Sequence, residues 1–108
     1  MSVPQEFKNV TAITKANIYF EGKVVSHTLV MADGQKKTLG LIYVGQYHFG
    51  TGAPEKMEIM AGECRYKLDG TAEWQRARTG EIFEIPGNSG FDIEVTQGIC
   101  EYICSFIS

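Results

Sequence analysis

PEKMEIMAG at residues 54–62 and GEIFEIP at residues 80–86 are the stretches of this chain that decide its fold. Each contains a short run of β-forming residues closed by a strand-ending residue, Gly62 in the first and Pro86 in the second. Six residues separate Glu55 from Gly62, five separate Gly80 from Pro86, and 17 residues lie between the two stretches. This spacing of strand-ending residues predicts short consecutive strands joined by turns.

Residues on both sides of these stretches also have the periodicity of strands. Residues 64–68 and 91–95 alternate apolar with polar side chains, which is typical of strands with one solvent-exposed face. Asp33-Gly34 and Asp69-Gly70 predict type I′ hairpin turns. The other predicted strands are residues 18–20, 24–31, 39–49 (kinked at Gly40 or Gly45), 57–60, 74–77, 82–85 and the apolar run 99–107. Because run 99–107 is apolar on both faces apart from Glu101, we expect it inside a sheet or at a subunit interface.

Length and composition exclude several classes of protein. The chain has 108 residues, a net charge of −3 and no run of lysine or arginine, which argues against a nucleic-acid partner. Since no apolar run approaches the roughly 18 residues of a membrane span, and the N-terminus lacks a signal sequence, we expect a cytoplasmic protein without a membrane partner. The three cysteines, Cys64, Cys100 and Cys104, predict small core residues rather than a redox or zinc motif.

Many short antiparallel strands in about a hundred residues are best buried as a jelly roll or barrel. The Glu55 and Pro86 spacings resemble those of the cupin family, so we predict an all-β, single-domain, cupin-like jelly-roll β-barrel over residues 17–108, preceded by an N-terminal arm at residues 1–16. The same resemblance implies that Glu55 points into the barrel.

The usual metal ligands of a cupin are largely missing from this chain. A cupin normally has three histidines at the positions held here by His48, Gly50 and Phe91. Because a catalytic metal site needs about three protein ligands, His48 and Glu55 alone do not predict one. We therefore expect no metal and no organic cofactor.

The chain also resembles a more specific group, the cupin-fold pyrimidine/purine nucleoside phosphorylases. The residues that carry this resemblance are FEGKV at 20–24, GQYHF at 45–49, PEKM at 54–57 and PGNSGF at 86–91, with Thr51, Gly62, Trp74, Gly80, Phe83, Tyr102 and Cys104. The resemblance implies phosphorolysis of purine and pyrimidine nucleosides to a free base and α-D-ribose 1-phosphate. Inorganic phosphate would be the co-substrate.

This implied reaction suggests roles for several side chains. Glu55 is the candidate catalytic carboxylate, and His48 is a candidate cation or proton donor. Tyr47 and Phe91 are candidates for stacking on the base, although core packing is the more common role of such aromatic residues. The candidates for binding phosphate are Thr51, Asn88 and Ser89, which turn formation would also explain.

Two alternative functions stay open from the sequence. The chain could be a cupin that binds a small molecule without transforming it, or a metal-dependent cupin enzyme that takes ligands from other positions. A homodimer is expected, because a barrel of this length has an apolar outer face to cover and cyclic dimers are common.

Overall fold

The computed structural model describes residues 3–107, which fold into two antiparallel β-sheets. A 3-10 turn at Phe20–Gly22 follows the second strand, and no α-helix occurs within these residues. The strands are β1 (Thr11–Ala12), β2 (Asn17–Tyr19), β3 (Val24–Val30), β4 (Lys36–Ile42), β5 (Gly45–Gly50), β6 (Glu55–Ala61), β7 (Glu63–Leu68), β8 (Gln75–Arg78), β9 (Ile82–Ile85), β10 (Gly90–Val95) and β11 (Cys100–Phe106).

The two sheets differ in size and face each other across one core. The larger sheet has the order β1-β3-β4-β11-β6-β9, with β2 also paired to β3, and the smaller has the order β5-β10-β7-β8. Ile42 and Ile59 of the larger sheet and Ile93 of the smaller are fully buried in the core between them. Burial of each such side chain contributes roughly 1.5–3 kcal/mol to folding.

The last strand, β11, holds the larger sheet together from its centre. It pairs with β4 on one side and with β6 on the other. Cys100, Tyr102 and Cys104 belong to the core cluster between the sheets, while the alternating residues Ile103 and Ser105 are buried on the opposite face. The prediction of a strand inside a sheet is therefore confirmed, as is the prediction of core positions for the cysteines.

The predicted β run over residues 39–49, kinked at Gly40 or Gly45, is wrong only in its continuity, because the chain changes sheets just before Gly45. β4 ends at Ile42 in the larger sheet, and β5 begins at Gly45 in the smaller one. Gly45 has a φ of +150°, and a side chain there would overlap the Tyr47 hydroxyl. That hydroxyl donates to the carbonyl oxygens of Tyr43 and Val44 at 2.8 and 3.0 Å, which holds the crossing in place.

The two predicted type I′ turns are also wrong in their geometry. A type I′ turn needs a positive φ at both central residues, and here Gly34 and Gly70 have one while Asp33 and Asp69 do not. The first site is still a hairpin, with five residues between β3 and β4. At the second, six residues separate β7 from β8, since the strand resumes only at Gln75.

The all-β, single-domain prediction is confirmed, but no strand pairing within residues 3–107 closes the two sheets into one barrel. The cupin-like jelly roll therefore stays a prediction. So does the division between an arm at residues 1–16 and a domain at 17–108, of which residues 1, 2 and 108 lie outside the described part. Thr11 and Ala12 pair with Val30 and Leu29 of β3. Over residues 3–107 the structure contains no helix long and apolar enough to cross a membrane.

Candidate functional site

A cavity of about 360 Å³ opens between the two sheets and is the candidate site. Its volume lies at the lower end of the roughly 300–1,000 Å³ found for small-molecule sites. The polar side chains that line it are Tyr19, Ser26, Thr38, Glu55, Tyr102 and Cys104, all from the larger sheet. Its aromatic side chains are Tyr19, Phe49, Phe91, Tyr102 and Phe106.

Glu55 supplies the carboxylate of this cavity. It is the first residue of β6, and pairing with Phe106 of β11 and Ile85 of β9 fixes its backbone on both sides. Partial burial raises the pKa of the Glu55 carboxyl, and a hydrogen bond from the Cys104 thiol, 3.4 Å from Oε1, opposes that rise. The sequence-based expectation that Glu55 points inward agrees with this position.

The aromatic residues of the cavity come from both sheets: Phe49 and Phe91 lie opposite the polar groups, whereas Tyr19, Tyr102 and Phe106 lie on the larger sheet beside them. The Phe49 and Phe91 rings stack with centroids 5.9 Å apart, and Tyr19 meets Phe49 edge-on at 5.6 Å. Phe91 is only 3% exposed, whereas Tyr19 is 43% and Phe106 37% exposed. The rings that a ligand can reach from solvent are therefore Tyr19 and Phe106, more than Phe91.

Tyr102 brings a hydroxyl into the same cavity. Burial raises the pKa of this phenol, which is protonated at neutral pH even at its ordinary value. The Ser26 hydroxyl, which lines the same cavity, accepts a bond of 3.2 Å from the Asn17 side-chain amide. The larger sheet thus presents neutral donors and acceptors beside one carboxylate.

Two residues proposed from the sequence lie away from this cavity. His48 is on the outer face of β5, where its Nε2 lies 3.0 Å from Asp69 Oδ1 and more than half of its side chain is exposed. Tyr47 alternates to the inner face but is buried in the core against Phe20. Neither side chain lines the cavity.

Two loops lie beside the cavity, residues 51–54 between β5 and β6 and residues 86–89 between β9 and β10. They are connected through Thr51, Asn88 and Ser89. The Thr51 hydroxyl donates to the Pro86 carbonyl at 2.7 Å and accepts from the Ser89 backbone N–H at 3.0 Å. The Asn88 backbone N–H donates to the carbonyl of Gly52, a residue that lines the cavity. These bonds hold the two loops together next to the cavity.

Gly50 and Phe91 occupy two positions at which the cupin resemblance predicts metal-binding histidines, and both residues lie at the cavity wall. Neither side chain can donate to a metal ion. Over the described range 3–107, no three His, Cys, Asp or Glu side chains converge as a metal site would require.

Apart from Glu55, the polar side chains that line the cavity were not assigned to a site from the sequence. Tyr102, Cys104 and Phe106 are two residues apart on β11, so the alternation of a strand places all three on one face. That alternation was readable, but the pairing that sets Ser26 and Thr38 beside them was not. It depends on β4 pairing with β11, which is distant in sequence and brings the β3–β4 hairpin beside it.

Fold and cavity together define a class: a small two-sheet β protein whose ligand-sized cavity combines a carboxylate with hydroxyl groups and aromatic rings. The chain belongs to the pyrimidine/purine nucleoside phosphorylase family, whose model matches residues 14–106.

Relatives that bear this family name match almost the whole chain. The one from Burkholderia orbicola is 50% identical over 107 residues, covering 99% of this chain and all of its own. The one from Cupriavidus metallidurans is 54% identical over 101 residues, covering 94% of this chain and 97% of its own. A solved structure from Acinetobacter sp. ADP1, described as a protein of unknown function, superimposes with a TM-score of 0.91 at 44% identity, covering 94% and 98% of the two chains.

Proposed function

We propose that this protein is a nucleoside phosphorylase that acts in the cavity between its sheets. Phosphate attacks the anomeric carbon of the nucleoside, the C–N bond breaks, and its electron pair leaves with the base, which takes up a proton. The products are the free base and α-D-ribose 1-phosphate. The observation that carries the proposal is the half-buried Glu55 carboxylate in a cavity lined with hydroxyl groups and aromatic rings, in a chain of this family.

Glu55 is the proposed catalytic residue. Cleavage of a glycosidic bond passes through a state with positive charge on the sugar ring, which a nearby carboxylate stabilises. The carboxylate also accepts hydrogen bonds from ribose hydroxyls. The cavity supports no role for His48 in this step, because its side chain lies on the outer face with Asp69.

Broad base specificity follows from binding the base by stacking. Tyr19 and Phe106 line the cavity and are partly exposed, and Phe49 and Phe91 extend the apolar wall behind them. Every base has a flat π face, so a stacking surface accepts purines and pyrimidines alike. Tyr19 and Phe106 therefore have the base-stacking role that the sequence suggested for Tyr47.

The proposed phosphate site lies at the loops beside Gly50 and Gly52, which line the cavity. The loop that carries Asn88 and Ser89 is bonded to this segment. The Thr51, Asn88 and Ser89 N–H groups already bond within and between these loops, so the feature that supports phosphate binding is the pair of glycines, which lets a ligand approach the backbone closely. The Thr51 hydroxyl already bonds to Pro86 and Ser89, so its contribution is to hold the loop in shape.

The proposed reaction is metal-independent, because the cavity offers a carboxylate and a thiol but no further side chain that binds metal well. The test is release of uracil from uridine and of hypoxanthine from inosine, with and without phosphate and with and without a chelator. We expect release that requires phosphate, survives chelation and yields ribose 1-phosphate in equal amount.

The two alternatives give different results in the same assay. Binding of nucleosides without turnover would show a non-catalytic binding protein, and activity lost on chelation and restored by a divalent metal would show a metal-dependent enzyme. Glu55→Ala is the matched variant. It should abolish turnover while circular dichroism and thermal unfolding show a folded protein, and near-normal activity would refute the role of Glu55.

Two further features are part of the proposal. The strand order β4-β11-β6-β9 opposite β5-β10-β7-β8 supports a jelly roll of the cupin type, in which each sheet has four main strands. A homodimer is proposed from the exposed apolar side chains Ile18, Phe20 and Ile107. Light scattering after size-exclusion chromatography gives the mass directly, and a monomer at micromolar concentration would contradict the dimer.

A further inference from the structure

The side chains of Glu55 and Cys104 meet across two paired strands. Glu55 is opposite Phe106, and Cys104 is opposite Met57, in the register of β6 and β11. The two residues are therefore diagonal neighbours, and both line the cavity. The Cys104 Sγ lies 3.4 Å from Glu55 Oε1, within the range of a sulfur hydrogen bond.

The thiol is the donor in this contact. Burial, followed by the neighbouring negative charge and hydrogen-bond acceptance of Glu55, raises the pKa of the Cys104 thiol well above its ordinary value. A neutral thiol has one S–H to donate, and an ionised carboxylate only accepts. The same burial makes Cys104 a poor nucleophile, because reactivity belongs to the thiolate.

The backbone around Cys104 is held rigidly on both sides. Cys104 pairs with Thr38 of β4 and with Met57 of β6, and its side chain is 5% exposed. A donor that is fixed in the centre of a sheet restricts the orientation of its acceptor more strongly than a donor on a loop does. Glu55, by contrast, begins its strand directly after Pro54 and is only half-buried.

We infer that Cys104 is a positioning residue for Glu55: its thiol donates to Oε1 and leaves Oε2 to accept a hydrogen bond from a ribose hydroxyl. The inference deepens the proposed function and rests on it for its effect on turnover. The hydrogen bond to the ionised form also opposes the effect of burial on the Glu55 pKa, which keeps the carboxylate charged at lower pH.

Three variants at Cys104 separate the hydrogen bond from packing. Cys104→Val has about the volume of the thiol and no donor, Cys104→Ala removes donor and volume, and Cys104→Ser restores an O–H donor. We expect kcat to fall about tenfold or more in the Val and Ala variants, and the acid limb of the kcat/KM profile to move to higher pH. The Ser variant should recover the wild-type pH profile.

The matched control is Cys64→Ala, which removes another buried thiol that does not line the cavity. It should lower the free energy of unfolding and leave the pH profile in place. If Cys104→Val and Cys104→Ala keep the wild-type kcat and pH profile, or if Cys64→Ala shifts the profile equally, the inference is overturned.

Carbon NMR titration of the Glu55 carboxyl tests the hydrogen bond without turnover. Its pKa should be higher in Cys104→Val than in the wild type or Cys104→Ser. An unchanged pKa in the Val variant would refute the inference even if the enzyme is active. Absence of phosphorolysis in the wild type, with the pKa still shifted by Cys104→Val, would instead refute the proposed function alone.

Discussion

Gly40 of β4 and Tyr102 of β11 are cross-strand partners, and the Tyr102 ring occupies the space that a side chain at Gly40 would fill. The absence of a Cβ on one strand thus makes room for a ring on the next. Because Tyr102 lines the cavity, this pair also sets the shape of the candidate site.

Gly40→Ala should therefore displace the Tyr102 ring. Forcing an extra methyl group into a packed position costs about 1–3 kcal/mol. We expect the free energy of unfolding to fall by that amount in urea denaturation, with a loss of nucleoside turnover. Gly52→Ala is the control for stability, since its Cβ meets nothing within 4 Å and its change should stay within about 1 kcal/mol. Equal stability of both variants would show that the ring moves freely.

Tyr19→Ala should weaken nucleoside binding. Stacking of a base on an aromatic ring contributes roughly 1–3 kcal/mol, so KM for uridine and inosine should rise about tenfold or more, while kcat changes less. Tyr19→Phe keeps the ring and should stay close to the wild type. Steady-state kinetics with both substrates provides the measurement, and an unchanged KM in Tyr19→Ala would exclude Tyr19 from the base site.

Thr51→Val should loosen the two loops beside the cavity. It removes the hydroxyl that bonds Pro86 and Ser89, at a cost of about 1–2 kcal/mol. Thr51→Ser retains the hydroxyl and should lie within about 0.5 kcal/mol of the wild type. Thermal and urea unfolding compare the two. Equal stability of Val and Ser variants would contradict the structural role of this hydroxyl.

Glu55→Gln should stabilise the protein at neutral and alkaline pH. Burial raises the pKa of folded Glu55 above its value in the unfolded chain, so the folded state binds more protons in the window between the two values. The free energy of unfolding of the wild type therefore falls as pH rises through that window. At higher pH the burial of the charged carboxylate continues to lower it.

The measurement for this variant is the free energy of unfolding as a function of pH. Glu55→Gln should exceed the wild type at about pH 8, and the difference should vanish on acidification below both pKa values, where the wild-type carboxyl is neutral too. A wild type that is more stable than Glu55→Gln at about pH 8 would show that hydrogen bonds to the carboxylate outweigh burial.

The strands were largely predictable because their signals are local. Alternation in residues 64–68 and 91–95 matches β7 and β10, and the stops at Gly62 and Pro86 match the ends of β6 and β9. The change of sheet at Gly45 was not predictable as such. It depends on Tyr47, whose hydroxyl bonds to carbonyls three and four residues earlier only when the chain has already turned.

Part of the candidate site was predictable, namely the residues that stand at fixed spacings within a motif. Glu55 and Phe91 were proposed from spacing, and both line the cavity. His48 was proposed from a cupin histidine position and from the GQYHF match, but a one-residue difference in strand register reverses which face a side chain occupies. Pairing of His48 with Asp92 of β10 fixes it on the outer face, and this pairing is a long-range contact.

The sequence by itself determined the all-β class, most of the strands, the core positions of the cysteines and the family, because each rests on residues near one another or on a linear match. Only the tertiary structure decided which side chains share the cavity. Ser26, Thr38, Glu55 and Cys104 lie on four strands, and their meeting depends on register across β3, β4, β11 and β6. Register is set by the packing of the whole sheet, which no local pattern contains.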